Sequence, residues 1–258
     1  MTNGNKLKPF EDYIISKYCL KVPFGKFAWI VVSVPFFSFV FCAVYSILYN
    51  FEKSTSSHCH VYNFLPSVSS IIGNFYPQKN IWQFAVIFQF IPRLLVANFY
   101  LKYHQEVLYP WTFCCNILVC FLNVIENIAL IILSFWTSSN SYAVHKFAFI
   151  TFICVTECYM LIIWIMHKRF RRSQRNTAEV KSLKLKKRIL LLNLICIILA
   201  VYFFMRHNSF CEPYVYSAFA FFEYVIVLSN MAFHMTAYLD FSDRMLLLSF
   251  NGIEMKYR

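Results

Sequence analysis

The sequence predicts an all-α polytopic membrane bundle of six transmembrane helices, with both termini cytosolic. Three observations lead there. First, 59% of the 258 residues are hydrophobic and only 14% are charged, where soluble domains hold about 45–50% apolar and about 25% charged residues. The mean hydropathy of +0.54 agrees. A soluble globule of this length could not hide so much apolar surface. Second, the apolar residues gather into six stretches, each long enough at about 20 residues to cross a hydrocarbon core of roughly 30 Å. Third, the net charge of +12 lies almost wholly outside those stretches.

Each element follows in order. Residues 1–26 form a cytosolic tail carrying Lys6, Lys8, Lys17, Lys21 and Lys26. The first span, Phe27–Phe51, has too long an apolar run for a cleavable signal peptide and no small-x-small site after it, so it is expected to remain as a signal anchor. Residues 52–80 form the longest non-cytosolic loop. They are too apolar for a floppy linker, and a short helix or re-entrant turn is expected near Val68–Ile72.

The second span, Ile81–Tyr103, places Gln89 and Arg93 four residues apart, with Pro92 freeing a backbone carbonyl and bending the helix. The third, Thr112–Trp136, carries Asn116, Asn123 and Asn127 at i, i+7 and i+11, one helical stripe with Glu126 beside it. The fourth, Lys146–Met166, contains Glu157. Residues 167–188 are a basic cytosolic loop. The fifth span, Ile189–Met205, is the shortest and can borrow a turn from Lys186–Arg188. The sixth, Tyr214–Tyr238, carries Glu223, Asn230 and His234 on one stripe. Residues 27–240 thus form the membrane domain, and 241–258 form a cytosolic C-terminal tail.

Orientation follows from Lys and Arg. One side receives the N-terminal lysines, Lys102, the ten basic residues between Lys168 and Arg188, and Arg244, Lys256 and Arg258. The other receives only Lys53, Lys79, Lys146 and Arg206. The first side is the cytosolic one. The basic loop is read as the positive-inside determinant, with added attraction to anionic lipid. Nucleic acid is not expected as a partner, because Phe170 is the one aromatic residue interleaved among these charges, too few for stacking platforms. With only 4 Gly, Gly-rich nucleotide loops are disfavoured, and no CxxC pair points to a zinc ribbon. Most of the ten Cys lie in or at the edges of spans. Cys59 and Cys211 alone lie in non-cytosolic loops, in a compartment that permits disulfides. A Cys59–Cys211 bridge is expected, tying the first lumenal loop to the last.

Polar groups inside spans are costly and mark function by default. At 1.5 Å per residue, Arg93, Glu126, Glu157 and Glu223 each lie roughly 14–18 Å from the lumenal end of their span. One ion pair is expected, with the remaining carboxyls protonated or hydrogen-bonded. The stripes of spans two, three and six should converge on a polar cavity open to the lumen, able to accept a polar headgroup. The competing reading is a buried clamp, since interhelical polar bonds in membranes are often worth about a kcal/mol or less. His234 lies near the cytosolic end, where it would only cap the bundle.

Reaction classes narrow little. No Gly-x-Ser-x-Gly elbow is present. The nearest approach to a His-x4-Asp acyltransferase motif is His234-x5-Asp240, which misses by one. His58, His60, His145 and His207 lie on the lumenal face without a lumenal Asp, and no metal is expected. A transporter would show paired broken helices or repeats, which are not evident.

Several strings go further. The loop from His58 to Gly73 (HCHVYNFLPSVSSIIG) resembles the post-GPI-attachment to proteins factor two family. So do Pro92-Arg93 with Leu95-Val96-Ala97, Asn123 to Leu130 (NVIENIAL), Arg206-His207-Asn208 with Cys211-Glu212, Glu223-Tyr224, and Ser229 to Ala237 (SNMAFHMTA). The likeness runs from about Lys26 to Phe241. It implies fatty-acid remodelling of glycosylphosphatidylinositol (GPI) anchors in the Golgi or late secretory pathway, with a saturated chain returned to sn-2 of a lyso-GPI-anchored protein. The implied partners are membrane lipids, lyso-GPI-anchored proteins and a possible membrane-protein partner. No bound cofactor is implied, only an acyl donor such as acyl-CoA or a phospholipid. Whether members are the acyltransferase or an essential partner of one stays open. The rival readings are a lipid-binding or sorting subunit and a lipid scramblase or transporter.

On the enzyme reading, His207 or His58 serves as base on the sn-2 hydroxyl, with Glu126 and Glu223 as alternative acid–base groups. Arg93 and Arg206 contact the phosphate or order the site, with Asn208, Asn127, Asn230 and His234 around the substrate. Glu157 and His60 fall outside the matching strings and rank lower.

Overall fold

Six helices of the computed structural model are long and apolar enough to cross a membrane. The structure describes residues 20–249 and 252–257. Strand β1 (Leu20–Pro23) leads into helix α1 (Phe24–Tyr49). Two short helices follow, α2 (Phe51–Thr55) and α3 (Val68–Gly73). Then come α4 (Gln78–Val107), α5 (Phe113–Phe135), α6 (Tyr142–Arg169), α7 (Thr177–Phe210) and α8 (Val215–Met235). A single turn, α9 (Ala237–Asp240), precedes β2 (Arg244–Ser249) and β3 (Gly252–Tyr257). The expected six spans are α1, α4, α5, α6, α7 and α8. Their outward faces carry Phe37, Leu48, Phe84, Phe121, Phe147, Ile198 and Val201, all exposed. So continuous an apolar surface needs lipid as its solvent, and the chain is a multi-pass membrane protein.

Each long helix packs on the next in sequence, and α8 returns to α1. The bundle is therefore up-and-down and closed on itself. An even number of spans brings β1 and the segment after Asp240 to one end of the bundle. There β1 pairs antiparallel with β2, and β2 with β3, in register Val22↔Leu246↔Met255. This small sheet departs from the all-α expectation. It forms because the tail beyond Asp240 puts buried Leu246 over a core of Phe24, Tyr103, Met166 and Phe241.

At the opposite end, residues 56–77 fold inward instead of hanging free. Helix α3 wedges among α1, α4, α5 and α8, and Ile71 and Ile72 join Phe39, Trp82 and Val86 in a second core. The expected short helix at Val68–Ile72 is therefore present, and it plugs the bundle. Ser67 caps it by accepting a hydrogen bond from the Ser70 N–H at 3.3 Å. Gly73 lets the plug approach the α5–α6 turn closely, since a Cβ there would lie 3.0 Å from Cγ2 of Thr137.

The basic segment 167–188 is mostly helical. α6 runs on to Arg169 and α7 begins at Thr177, leaving residues 170–176 as the connection. A capping box explains the early start. The Asn176 side chain accepts from the Glu179 N–H, and the Glu179 carboxylate accepts from the Asn176 N–H. Helix α4 continues through Pro92.

Candidate functional site

The bundle interior is polar at its middle. Arg93 of α4 reaches across to Glu126 of α5, with Nη2 2.9 Å from Oε1. Arg93 is 9% exposed and Glu126 fully buried. Two groups of α8 complete the layer: the Asn230 amide donates to the same Oε1 at 3.0 Å, and His234 Nε2 lies 2.9 Å from it and 2.8 Å from Arg93 Nη2. Tyr159 stacks on the His234 ring. The helical stripes explain the convergence: Glu223, Asn230 and His234 share one face of α8, and Asn123, Glu126 and Asn127 face inward from α5. His234 therefore does not merely cap the bundle end, as expected from its position, but belongs to the central layer. Its ring reaches back along the helix, as helical side chains do.

Two polar atoms of this layer remain unspent. Arg93 Nε and Glu126 Oε2 are buried without a hydrogen-bond partner. Two donors and the His234 ring nitrogen crowd one carboxylate oxygen while the other has no partner. Buried unsatisfied polar groups are costly, so these atoms mark where a polar ligand would gain most.

Arg93 and Asn230 also border the main internal cavity, which extends from this layer to the plug. Its walls are Ile72, Trp82, Leu130, Leu133, Phe149, Phe152 and Ile226, and its plug end carries Ser69, His145 and Glu223. A smaller pocket on the other side of the layer lies among α1, α4, α5 and α8, between Val31, Pro35, Gln89 and His234. Glu223 does not join the ion pair. Its Oε2 accepts from the Val68 N–H at 3.1 Å, tethering the plug. The expectation of one ion pair with the other carboxyls hydrogen-bonded thus describes Arg93, Glu126 and Glu223. Glu157 is half-buried on α6, and its Oε1 has no partner. Asn127 turns its amide to the Asn123 carbonyl at 2.7 Å and lies behind the layer.

The histidines divide. Cys59 and Cys211 form the expected disulfide, and His58 and His207 meet beside it with ring centroids 5.2 Å apart. His207 is fully buried, with neither ring nitrogen hydrogen-bonded, and it packs on Tyr216. His58 and His60 are exposed. Neither His58 nor His207 borders the internal cavity. Arg206 and Asn208 point outward. Arg206 pairs with Glu212, 2.6 Å from Nε to Oε2, and its hydrogen bond holds the exposed Glu212 carboxyl below the usual carboxylate range. The structure thus brings Arg93, Glu126, Asn230 and His234 into one layer, with Glu223 at the other end of the cavity, and leaves His58, His207, Arg206 and Asn208 outside it.

A second polar cluster lies at the sheet end. Lys186 Nζ donates to Asp240 at 2.5 Å, and the Tyr100 hydroxyl donates to the same Oδ2 at 2.6 Å. Arg171 holds Glu179 through both carboxylate oxygens, at 2.7 and 2.8 Å. Buried His104 and His167 meet through their Nε2 atoms at 2.9 Å. Lys186 is 1% exposed. Lys186 and Arg171, counted from sequence among the orienting charges, also hold buried pairs, with Asp240 and Glu179. Their partners are remote in the chain or carry no marked spacing, so a count of charges along a segment could not reveal them.

A six-helix membrane bundle with a plugged internal cavity and a buried ion pair in its central layer defines the class, and the sequence matches it. The chain matches the Frag1/DRAM/Sfk1/Cwh43P N-terminal domain family over residues 23–244. It also belongs to the post-GPI attachment to proteins factor 2 family. The protein of that name from Drosophila pseudoobscura pseudoobscura is 47% identical over 221 residues, covering 86% of this chain and 87% of the relative. Its namesake in Drosophila melanogaster is 45% identical over 236 residues, covering 91% and 92%. A Xenopus tropicalis relative named Acyltransferase PGAP2 is 39% identical over 234 residues, covering 89% and 92%. No solved structure matches the chain.

Proposed function

We propose that this protein matures GPI anchors by reacylating lyso-GPI-anchored proteins at sn-2 with a saturated chain, in the Golgi membrane. The observation that carries the reading is the internal cavity, apolar-walled with polar groups at both ends, inside a protein whose relatives are named for GPI attachment and for acyl transfer. The disulfide end faces the lumen, where GPI headgroups lie and where disulfides form and persist. The sheet end, with the Lys and Arg of residues 168–188, faces the cytosol. The acyl donor is an acyl-CoA or a phospholipid. The polar layer at Arg93 and Glu126 closes the cavity and offers its two unspent atoms to the bound lipid.

The experiment is purified protein in lipid nanodiscs, given a lyso-GPI-anchored protein and a labelled acyl donor. Label should appear on the GPI lipid and be released by phospholipase A2, which cleaves sn-2 esters. Retained lyso-GPI binding with no transfer sinks the enzyme reading and leaves a lipid-binding or sorting subunit.

A further inference from the structure

The acyl-transfer reading lacks a nucleophile, and one lies at the plug end of the cavity. Ser69 Oγ of α3 is 3.0 Å from His145 Nε2 of α6. The other ring nitrogen, Nδ1, is 2.9 Å from the Trp136 carbonyl oxygen. A carbonyl oxygen only accepts, so Nδ1 carries a proton, and this tautomer of the imidazole presents the Nε2 lone pair to the serine hydroxyl. This is the relation of nucleophile, base and orienting acceptor that activates a serine, with a backbone carbonyl in the orienting place. His145 is 8% exposed and Ser69 half-buried, and both border the cavity beside Leu133, Phe149 and Phe152. The pair is held from both sides. Glu223 and Ser217 tether the loop that carries Ser69, while Trp136 fixes the imidazole.

We propose that Ser69 and His145 form a nucleophile–base pair that carries the transferred acyl chain as an ester on Ser69 Oγ. The proposal rests on the acyl-transfer reading above. In the first half-reaction Ser69 Oγ attacks the carbonyl carbon of an acyl ester or thioester donor, and His145 Nε2 takes the hydroxyl proton. The tetrahedral adduct collapses, the bond to the donor's oxygen or sulfur breaks, and His145 returns the proton to that leaving group. In the second, Nε2 takes the proton of the acceptor's sn-2 hydroxyl, whose oxygen attacks the Ser69 ester. The bond to Oγ breaks, and Oγ recovers the proton. No oxidant or reductant is needed.

The test uses the full-length protein in nanodiscs with labelled stearoyl-CoA, or phosphatidylcholine labelled at sn-2, first without acceptor and then with lyso-GPI. Mass spectrometry of the acid-quenched digest should find an acyl group on Ser69 that lyso-GPI discharges. Ser69→Ala should abolish the adduct, and His145→Gln should slow its formation by about 10²–10⁴-fold, the usual worth of a positioned base. Ser69→Cys guards against a folding artefact: its adduct is a thioester, released by neutral hydroxylamine. Acyl transfer by Ser69→Ala at about the wild-type rate, or transfer by the wild type with no adduct, overturns the pair and leaves the GPI reading standing. A Ser69 adduct discharged by water or another alcohol but not by lyso-GPI supports the pair and overturns the GPI reading. Neither adduct nor transfer overturns both.

Discussion

The clearest energetic commitment at the residue scale is Arg93 with Glu126. Breaking a buried pair by removing one partner costs about 3–5 kcal/mol, because the survivor stays charged and desolvated, whereas replacing both is often near neutral. Arg93→Leu should therefore lower stability by about that amount in denaturant unfolding of detergent-solubilised protein. Arg93→Leu with Glu126→Leu should recover most of it. A single variant as stable as wild type would show that the bundle does not depend on the pair. That Arg93 would find a carboxylate was legible in the sequence, because one cation and three carboxyls share one depth, but which of the three it meets was settled only by how the helices pack. The pairing of Ser69 with His145 was not legible. A serine in a loop and a histidine at a helix start carry no spacing signal, and only folding the loop inward brings them within 3.0 Å. Lys186 and Asp240, on α7 and α9, were hidden for a related reason: their pairing depends on how α9 packs against α7, which no count of charges conveys.

Among the elements, α3 is the one that plugs one end of the six-helix bundle. Its length of six residues is too short to be stable as an isolated helix, so the plug depends on tethers from α8. The Ser217 hydroxyl accepts from the Phe64 N–H at 2.9 Å and the Leu65 N–H at 3.2 Å, and Glu223 accepts from Val68. Ser217→Ala leaves two backbone donors without that partner, at a cost of about 1–3 kcal/mol per buried group left unsatisfied. Hydrogen exchange should speed up in residues 61–70 while the cores of α4 and α8 stay protected. Equal exchange in the variant and wild type would show that the plug does not depend on the Ser217 tether. The long helices were legible from apolar length, and the plug from the apolar character of its loop. The sheet at the opposite end was not, because β1 pairs with residues more than two hundred positions away.

For the whole molecule, the disulfide and the basic residues make one argument about orientation. The Cys59–Cys211 bridge closes 152 residues of chain, and chain entropy alone gives such a loop about 5 kcal/mol of stabilisation. Cys59→Ser with Cys211→Ser should lower stability by up to that amount, less any residual order in the unfolded chain. The same bridge needs an oxidising compartment, while the Lys and Arg of residues 168–188 favour the cytosolic face. Because an up-and-down bundle puts these features at opposite ends, both can be satisfied by only one insertion. An epitope placed between Ser173 and Gln174 should therefore be stained in cells permeabilised at the plasma membrane alone. One placed between Ser138 and Ser139, in the α5–α6 turn, should need permeabilisation of internal membranes. The reverse pattern would put the cavity mouth in the cytosol, away from GPI headgroups, and would overturn the proposed function together with the orientation.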